Sequence, residues 1–530
     1  MIKKIKKIFS FPLQLKDTQK LEKKEIEFCE YFKSINKKTP EASDVVLLQC
    51  VEDPFYLAIF GQIISSMRQT RDIRAEQILV NSFRVGESAS INKFFSYRLV
   101  TRLLKRKWSK LYQSFCDEVA YDHAGLQHPI SDITDLYRSY KCWKAIKTKD
   151  QLIGLTIKRI LVGDLVNDTY LRYKPAATVN LVKRDIYLWI IIWQAYRNIR
   201  RGEWYFAKVK PQVYLTSYST YVNHGIPVRI ALQAGVRVFT IYSNLQQFAK
   251  QLSDKDIVHT KNPDNYAADF LKFNDQETKL AMAEYALSQR IKGVIDSSTA
   301  YMKRSAYAET DTLVPDVKGA AVIFLHDFFD SPHVYRNMIF PDFWEWICFT
   351  IDQLEQSGIR YFVKPHPNQI GLSSEVMRSL KESYPDLLLI PSDITNKQLV
   401  EAGMACAITV YGTVGHEMAF LGIPTIASAN HPHASFDFCI TAKNKQEYAE
   451  ALSKINAVSF DIPRMKQQSL MFYYMHNLNL SREEKEFNDA VLKFRMDSAE
   501  DKTCLVTSLK HIAQLQSYKG YISRLSHNDL

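Results

Sequence analysis

The sequence has no CxxC pair and no cluster of histidines to partner its eight cysteines, at positions 29, 50, 116, 142, 348, 406, 439 and 504. Neither a zinc site nor a disulfide framework is therefore indicated, and a reducing cytoplasm is the expected setting. Long apolar runs are missing too. The most apolar stretch, "IYLWIIIWQAY" from Ile186, is shorter than the roughly 20 helical residues that cross a bilayer and is bracketed by Lys183, Arg184 and Arg197, so it reads as a buried helix. The opening "MIKKIKKIFSFPLQLKD" has no unbroken apolar core and no small-residue cleavage site, which argues against a secretory signal. No internal repeat and no low-complexity linker interrupts the chain.

What is present is a globular composition. With 530 residues and 46% hydrophobic content the chain has enough apolar surface for two or three packed domains. It carries 69 basic against 57 acidic residues, a formal charge of +12, which draws it to polyanions or to an anionic membrane. The first residues alternate Lys3, Lys4, Lys6 and Lys7 with Ile2, Ile5, Ile8 and Phe9, a pattern that suits a helix lying on anionic lipid at the inner face of the cytoplasmic membrane, or a solvated basic tail. "RLLKRKWSKL", from Arg102, offers a second basic surface.

From Asp44 onward short β-branched runs alternate with long amphipathic segments, as in parallel sheets covered by helices. The expected fold class is α/β, in three parts: 1–305, an α/β domain with a basic start; 306–466, a more regular Rossmann-like domain; and 467–530, helices folding back on the first domain. In the first part "DVVLLQCV", "EQILVNSF", "KRILVGD", "QVYLTSY" and "VRVFTIY" read as strands. In the second, "AAVIFLHDF", "RYFVKPHP", "LLLIP", "CAITVYG" and "PTIAS" do.

Open α/β sheets bind ligands beyond the carboxyl ends of their strands, so the residues placed there carry the chemistry. After "AVIFL" come His326, Asp327, Asp330, Ser331 and His333; after "RYFV" come Lys364, His366 and Asn368. Pro365 and Pro367 hold Lys364 and His366 in extended backbone at the strand's mouth. After "AITV", the turn "YGTVGHE" sets Gly412, Thr413, Val414 and Gly415 where a strand becomes a helix, an arrangement whose free N–H groups and dipole suit a phosphate. Glu417, one turn on, is placed to accept hydrogen bonds from ribose hydroxyls. Each piece alone also fits a plain structural role: a rigid loop, or glycines for close packing. Their succession at three strand ends favours a nucleotide.

Over about residues 315 to 450 this half resembles the donor domain of GT-B glycosyltransferases, specifically bacterial capsule and lipopolysaccharide biosynthesis proteins of the β-Kdo transferase type. The resemblance rests on the His366-Pro367 pair, which in that family meets the donor's phosphate, and on Thr413 to Glu417, which match the turn and Glu-bearing helix that hold the nucleotide. It implies two Rossmann-like domains facing a cleft, with transfer of a sugar from a nucleotide-activated donor, CMP-Kdo among the possibilities, to a lipid-linked or oligosaccharide acceptor of O-antigen or capsule type. No metal is expected, because such sites neutralise the leaving group with dipoles and basic side chains. The turn is poorer in Ser and Thr than the family's pattern, which leaves the nucleotide open. On the acceptor side Asp164, just after "KRILVG", is the expected catalytic carboxylate, with Asp168 and His224 supporting it; turn formation and loop packing are the plain alternatives. Two further readings stand beside this one. A CDP-polyol phosphotransferase of the wall-teichoic kind uses a similar frame and a Lys/Arg-x-His-Pro loop. A basic nucleic-acid or membrane scaffold accounts for the charge but not for the polar strand ends, and nucleic acid is therefore not expected as a partner.

Overall fold

The computed structural model describes residues 21–49, 54–79, 108–121, 129–174, 176–241, 250–261, 263–294, 311–335, 337–366, 373–430, 432–455 and 460–482, with shorter stretches between 485 and 519. The basic start, most of "RLLKRKWSKL" and Asn368 lie outside them. Contacts divide the chain into two compact units. One comprises Met1–Lys174, Leu181–His259 and Ser481–Leu530; the other comprises Pro175–Asn180 and Thr260–Leu480. The division falls earlier than residue 305, because helix Gln276–Ile291 packs on helix Ile462–Tyr473 through Leu287, Ile291, Leu470 and Tyr473. The same contacts keep 467–480 in the second unit, while Leu515 and Tyr518 enter the core of the first.

The first unit is built on strands β1 (Val45–Gln49), β2 (Arg74–Leu79) and β3 (Glu118–Tyr121), then β6 (Val213–Thr216), β7 (Arg237–Thr240) and β8 (Lys250–Leu252). They form one sheet in the order β3-β2-β1-β6-β7-β8, parallel except for β8. Counting only these strands, this is the 3-2-1-4-5-6 order of doubly wound nucleotide-binding sheets. Val46, Leu48, Val213 and Leu215 point to one face, onto helix Pro54–Thr70 and the aromatic cluster Phe28, Phe32 and Phe115. The other face receives helix Ile186–Val209, whose Phe206 meets Tyr214 edge-on. "IYLWIIIWQAY" is thus a covering helix, and among the described residues no helix is long and apolar enough to cross a membrane.

"KRILVGD" is corrected. It forms no strand of the sheet but the second half of a hairpin, β4 (Thr156–Ile157) paired antiparallel with β5 (Ile160–Leu161). Lys158 and Arg159, at φ 47° and 69°, make the left-handed two-residue turn such hairpins use. Helix Gly163–Tyr173 then starts at once.

The second unit holds β9 (Ala321–Phe324), β10 (Tyr361–Lys364), β11 (Cys406–Thr409), β12 (Thr425–Ala427) and β13 (Cys439–Thr441), all parallel, in the order β10-β9-β11-β12-β13. "LLLIP" contributes only a bridge from Leu389 to Val363, on the outer side of β10, which completes the same 3-2-1-4-5-6 pattern. Ala321 and Ile323 face one core with Trp346 and Ile351, while Val322 and Phe324 face another with Leu399 and Met418. Burial on both faces is why these strands read as unbroken apolar runs. The expected α/β class with two Rossmann-like halves is what the molecule shows.

Gly163 is a point of close approach: a Cβ there would lie 2.0 Å from the Leu152 carbonyl oxygen and 2.2 Å from that of Ile153. Gly163→Ala is expected to lower unfolding stability by about 2 kcal/mol or more, read as an earlier urea midpoint at unchanged slope; wild-type stability would show that the hairpin end yields freely.

Candidate functional site

In the second sheet the strand order reverses between β9 and β11, the place where open α/β sheets bind ligands. His326 lies there, two residues past β9. Its ring lies 4.5 Å from Tyr411 and stacks on Phe343 at 5.2 Å and on His366 at 6.3 Å. A Cβ on Gly412 would come within 3.6 Å of His326 Nε2, so the ends of β9 and β11 touch here. Burial, and next the charge of His366, pushes the His326 pKa down to about 3. Burial likewise lowers that of His366, against the pull of Asp330. At neutral pH both rings are uncharged hydrogen-bonding groups.

Lys364 ends β10 and is buried, its Nζ donating to Asn396 Oδ1 at 2.9 Å. Burial drops its pKa to about 8, with Glu417 and Asp393 opposing. Asn396 opens the helix Asn396–Glu401, held by a capping box between Thr395 and Gln398, and its Nδ2 donates to Glu417 Oε2 at 3.1 Å. Glu417 is only 2% exposed, and Arg290 lies 3.7 Å from its Oε1. A side-chain chain thus runs Lys364, Asn396, Glu417, Arg290. The carboxylate read from the sequence as meeting ribose sits inside this chain, where it fixes the amide that holds the lysine.

The turn before helix Val414–Leu421 is as expected in place, with exposed Thr413 at the cap making no side-chain capping bond. Val414 packs its side chain into the core beneath the sheet. Gly415 has a packing reason: a Cβ would strike the buried His433 ring at 2.5 Å. Asp327 accepts from the Phe329 N–H at 3.1 Å and Asp330 from the Ser331 N–H at 2.9 Å, both local turn contacts.

The three residues read from the sequence as catalytic lie on two neighbouring elements of the first unit. Asp164 lies in the first turn of its helix, clamped by Arg229, whose Nη1 donates to Oδ1 at 2.8 Å and whose Nη2 donates to Oδ2 at 2.5 Å. It does not stand at a sheet strand's end, because the strand that would have carried it is the β4–β5 hairpin. Asp168 is buried in the same helix, accepting from Asn167 Nδ2 at 3.4 Å. His224 sits in the π-helical turn Tyr221–Gly225, 2.9 Å from Asn223 Nδ2, with its ring 6.0 Å from Tyr218 beyond β6. Sequence reading missed Asn396, Arg290 and His433. The Thr-x-x-Gln of the capping box was a visible signal for the first; the other two come from distant segments and carry none.

No family model matches the chain, and its sequence matches no curated protein. Among solved structures it is similar to the putative UDP-N-acetylglucosamine 2-epimerase from Listeria monocytogenes, at 9% identity over 87% of this chain and 98% of that one, with TM-score 0.25. It is similar to UDP-GlcNAc 2-epimerase from Neisseria meningitidis, solved with UDP-GlcNAc, at 10% over 86% and 99%, TM-score 0.25. A third is the wall teichoic acid polymerase TagF, at 11% over 94% and 98%, TM-score 0.20. Likenesses of this size carry no argument.

If the Asp164–Arg229 clamp is structural, Asp164→Asn is expected to cost about 2 kcal/mol or more of folding stability, since it leaves a largely buried guanidinium without its carboxylate. Thermal and urea melts check this; an unchanged melt would show that the clamp adds nothing to stability.

Proposed function

We propose that the chain is a glycosyltransferase of the GT-B type that binds a nucleotide-activated sugar over the second unit and passes the sugar to an acceptor of a bacterial surface polysaccharide. The observation that carries this reading is the meeting of three strand ends at the sheet's reversal point: His326 after β9, Lys364 at the end of β10, and Gly412 and Thr413 after β11. In this reading the donor's phosphate lies on the first turn of helix Val414–Leu421, with the Thr413 hydroxyl and Lys364 ammonium beside it and His366 and His326 as neutral donors. Glu417 acts through Asn396 as a positioning residue. The sugar's anomeric bond to the leaving phosphate breaks as an acceptor hydroxyl bonds to that carbon, and the hydroxyl's proton goes to a base; Asp168 and His224 are the proposed groups. The acceptor is lipid-linked or an oligosaccharide, CMP-Kdo is the first donor to try, and work at the inner face of the cytoplasmic membrane follows from that acceptor.

A CDP-polyol phosphotransferase is the second reading, favoured by one observation. Asp164 is committed to Arg229, whereas two neutral imidazoles, His326 and His366, stand side by side where a phosphate would react. A neutral imidazole is a competent base for a polyol hydroxyl. Analysis of products from CMP-Kdo, UDP-sugars and CDP-glycerol separates the two.

Binding of CMP, CDP, UDP and GDP, followed by thermal shift and titration, tests the shared core. Thr413→Ala, at an exposed position, should weaken the preferred nucleotide about fivefold, and Lys364→Met about thirtyfold or more. Because Lys364 is charged only below its pKa, affinity should fall as pH rises through about 8, and Lys364→Met should lose that dependence. Equal affinity in both variants removes the site from these strand ends. Activity is expected to persist in EDTA; loss restored by Mg²⁺ would reassign Asp327 and Asp330 to a metal.

A further inference from the structure

Helix Pro129–Ala145 in the first unit is turned inside out. Both of its carboxylates face inward. Asp132 accepts from Arg197 Nε at 3.2 Å and pairs with Arg200, and Asp135 accepts from Arg200 Nε at 2.6 Å, all on helix Ile186–Val209. The opposite face carries Ile130, Ile133, Tyr137 and Tyr140, which are 83%, 61%, 57% and 41% exposed. Spaced three, four and three apart, they form one stripe. Lys141 and Lys144 fall on the same stripe, with Lys141 Nζ 4.6 Å above the Tyr137 ring and Lys144 Nζ 5.6 Å above that of Tyr140. Arg138 flanks it, exposed.

Water is a poor neighbour for two adjacent isoleucines, and a helix that spends its acids on an internal ion-pair network while presenting isoleucine, tyrosine and lysine outward has the composition of an interfacial helix. We propose that this face docks on an anionic lipid bilayer. Isoleucine and tyrosine enter the boundary between headgroups and acyl chains, and the lysine stems run along the rings so that their ammonium groups reach lipid phosphates. Charge complementarity selects lipid over an apolar protein partner: the stripe holds two cations, both acids of the helix are turned away, and the whole chain carries +12. The inference stands apart from the nucleotide site, which is built on other residues.

The test uses the full chain and flotation with vesicles of phosphatidylglycerol and phosphatidylcholine in equal parts, against pure phosphatidylcholine. Two variants alter exposed residues only, Ile130→Ser/Ile133→Ser/Tyr137→Ser and Lys141→Glu/Lys144→Glu, and their melting checks that the fold is kept. Wild type should bind the anionic vesicles, less so with added salt, and each variant should lose about tenfold or more in partitioning at unchanged nucleotide affinity. Binding by both variants at the wild-type level would overturn the proposal and leave any attachment to the basic first residues. So would wild-type binding equally strong on neutral vesicles. A wild-type dimer that the triple serine variant makes monomeric would overturn it in favour of a second copy on this face.

Discussion

The second unit depends on how it keeps charge inside. Lys364, Glu417 and Arg290 are all buried, and ions removed from water are costly unless each finds partners. Asn396 makes the arrangement possible. Its oxygen accepts from the lysine and its nitrogen donates to the glutamate, so one amide in one orientation serves both. At Lys364 burial outweighs the attraction of the Glu417 and Asp393 carboxylates, and its pKa falls to about 8.

The histidines around this chain are kept neutral by the same burial. Arg290 Nη1 lies 3.4 Å from His416 Nε2, and a guanidinium only donates, so Nε2 accepts and Nδ1 carries the hydrogen. Burial also lowers His433 and His476 to about 3, which keeps the ring packed against Gly415 from adding a further positive charge. The imidazoles therefore add no charge to this chain of residues and serve shape and hydrogen bonding.

The regular half was legible because its strands are buried on both faces. "AAVIFL", "YFVK" and "CAITV" could be little else, and each helix between them ends near a glycine or begins with a polar cap, as at Asp342 and Thr395. Residues at the strand ends were legible for the same reason, since sequence fixes where a strand stops. What escaped was long-range. Arg290 and His416 are 126 positions apart, and nothing local marks the arginine as a partner of helix Val414–Leu421. Gly415 looked like part of an anion-binding turn because a glycine that makes room for His433 reads the same as one that makes room for phosphate. Asp164 was misplaced because "KRILVGD" has the composition of a strand, while its fate was decided by two carbonyl oxygens that only glycine can approach.

The strand ends of the first sheet carry a different set of groups. At the reversal point of the first sheet, between β1 and β6, Gln49 Oε1 accepts from both the N–H and the hydroxyl of Ser217, and Ser219 meets His259 Nδ1 at 3.2 Å. Tyr218 and His224 complete the group. Among the described residues Gln49, Ser217 and Ser219 are uncharged donors and acceptors beside aromatic rings, and burial holds His259 at about 4. Groups of this kind suit hydroxyl-bearing ligands, whose recognition needs many neutral hydrogen bonds and flat apolar faces rather than charge. In the same unit both oxygens of Asp164 are held by Arg229.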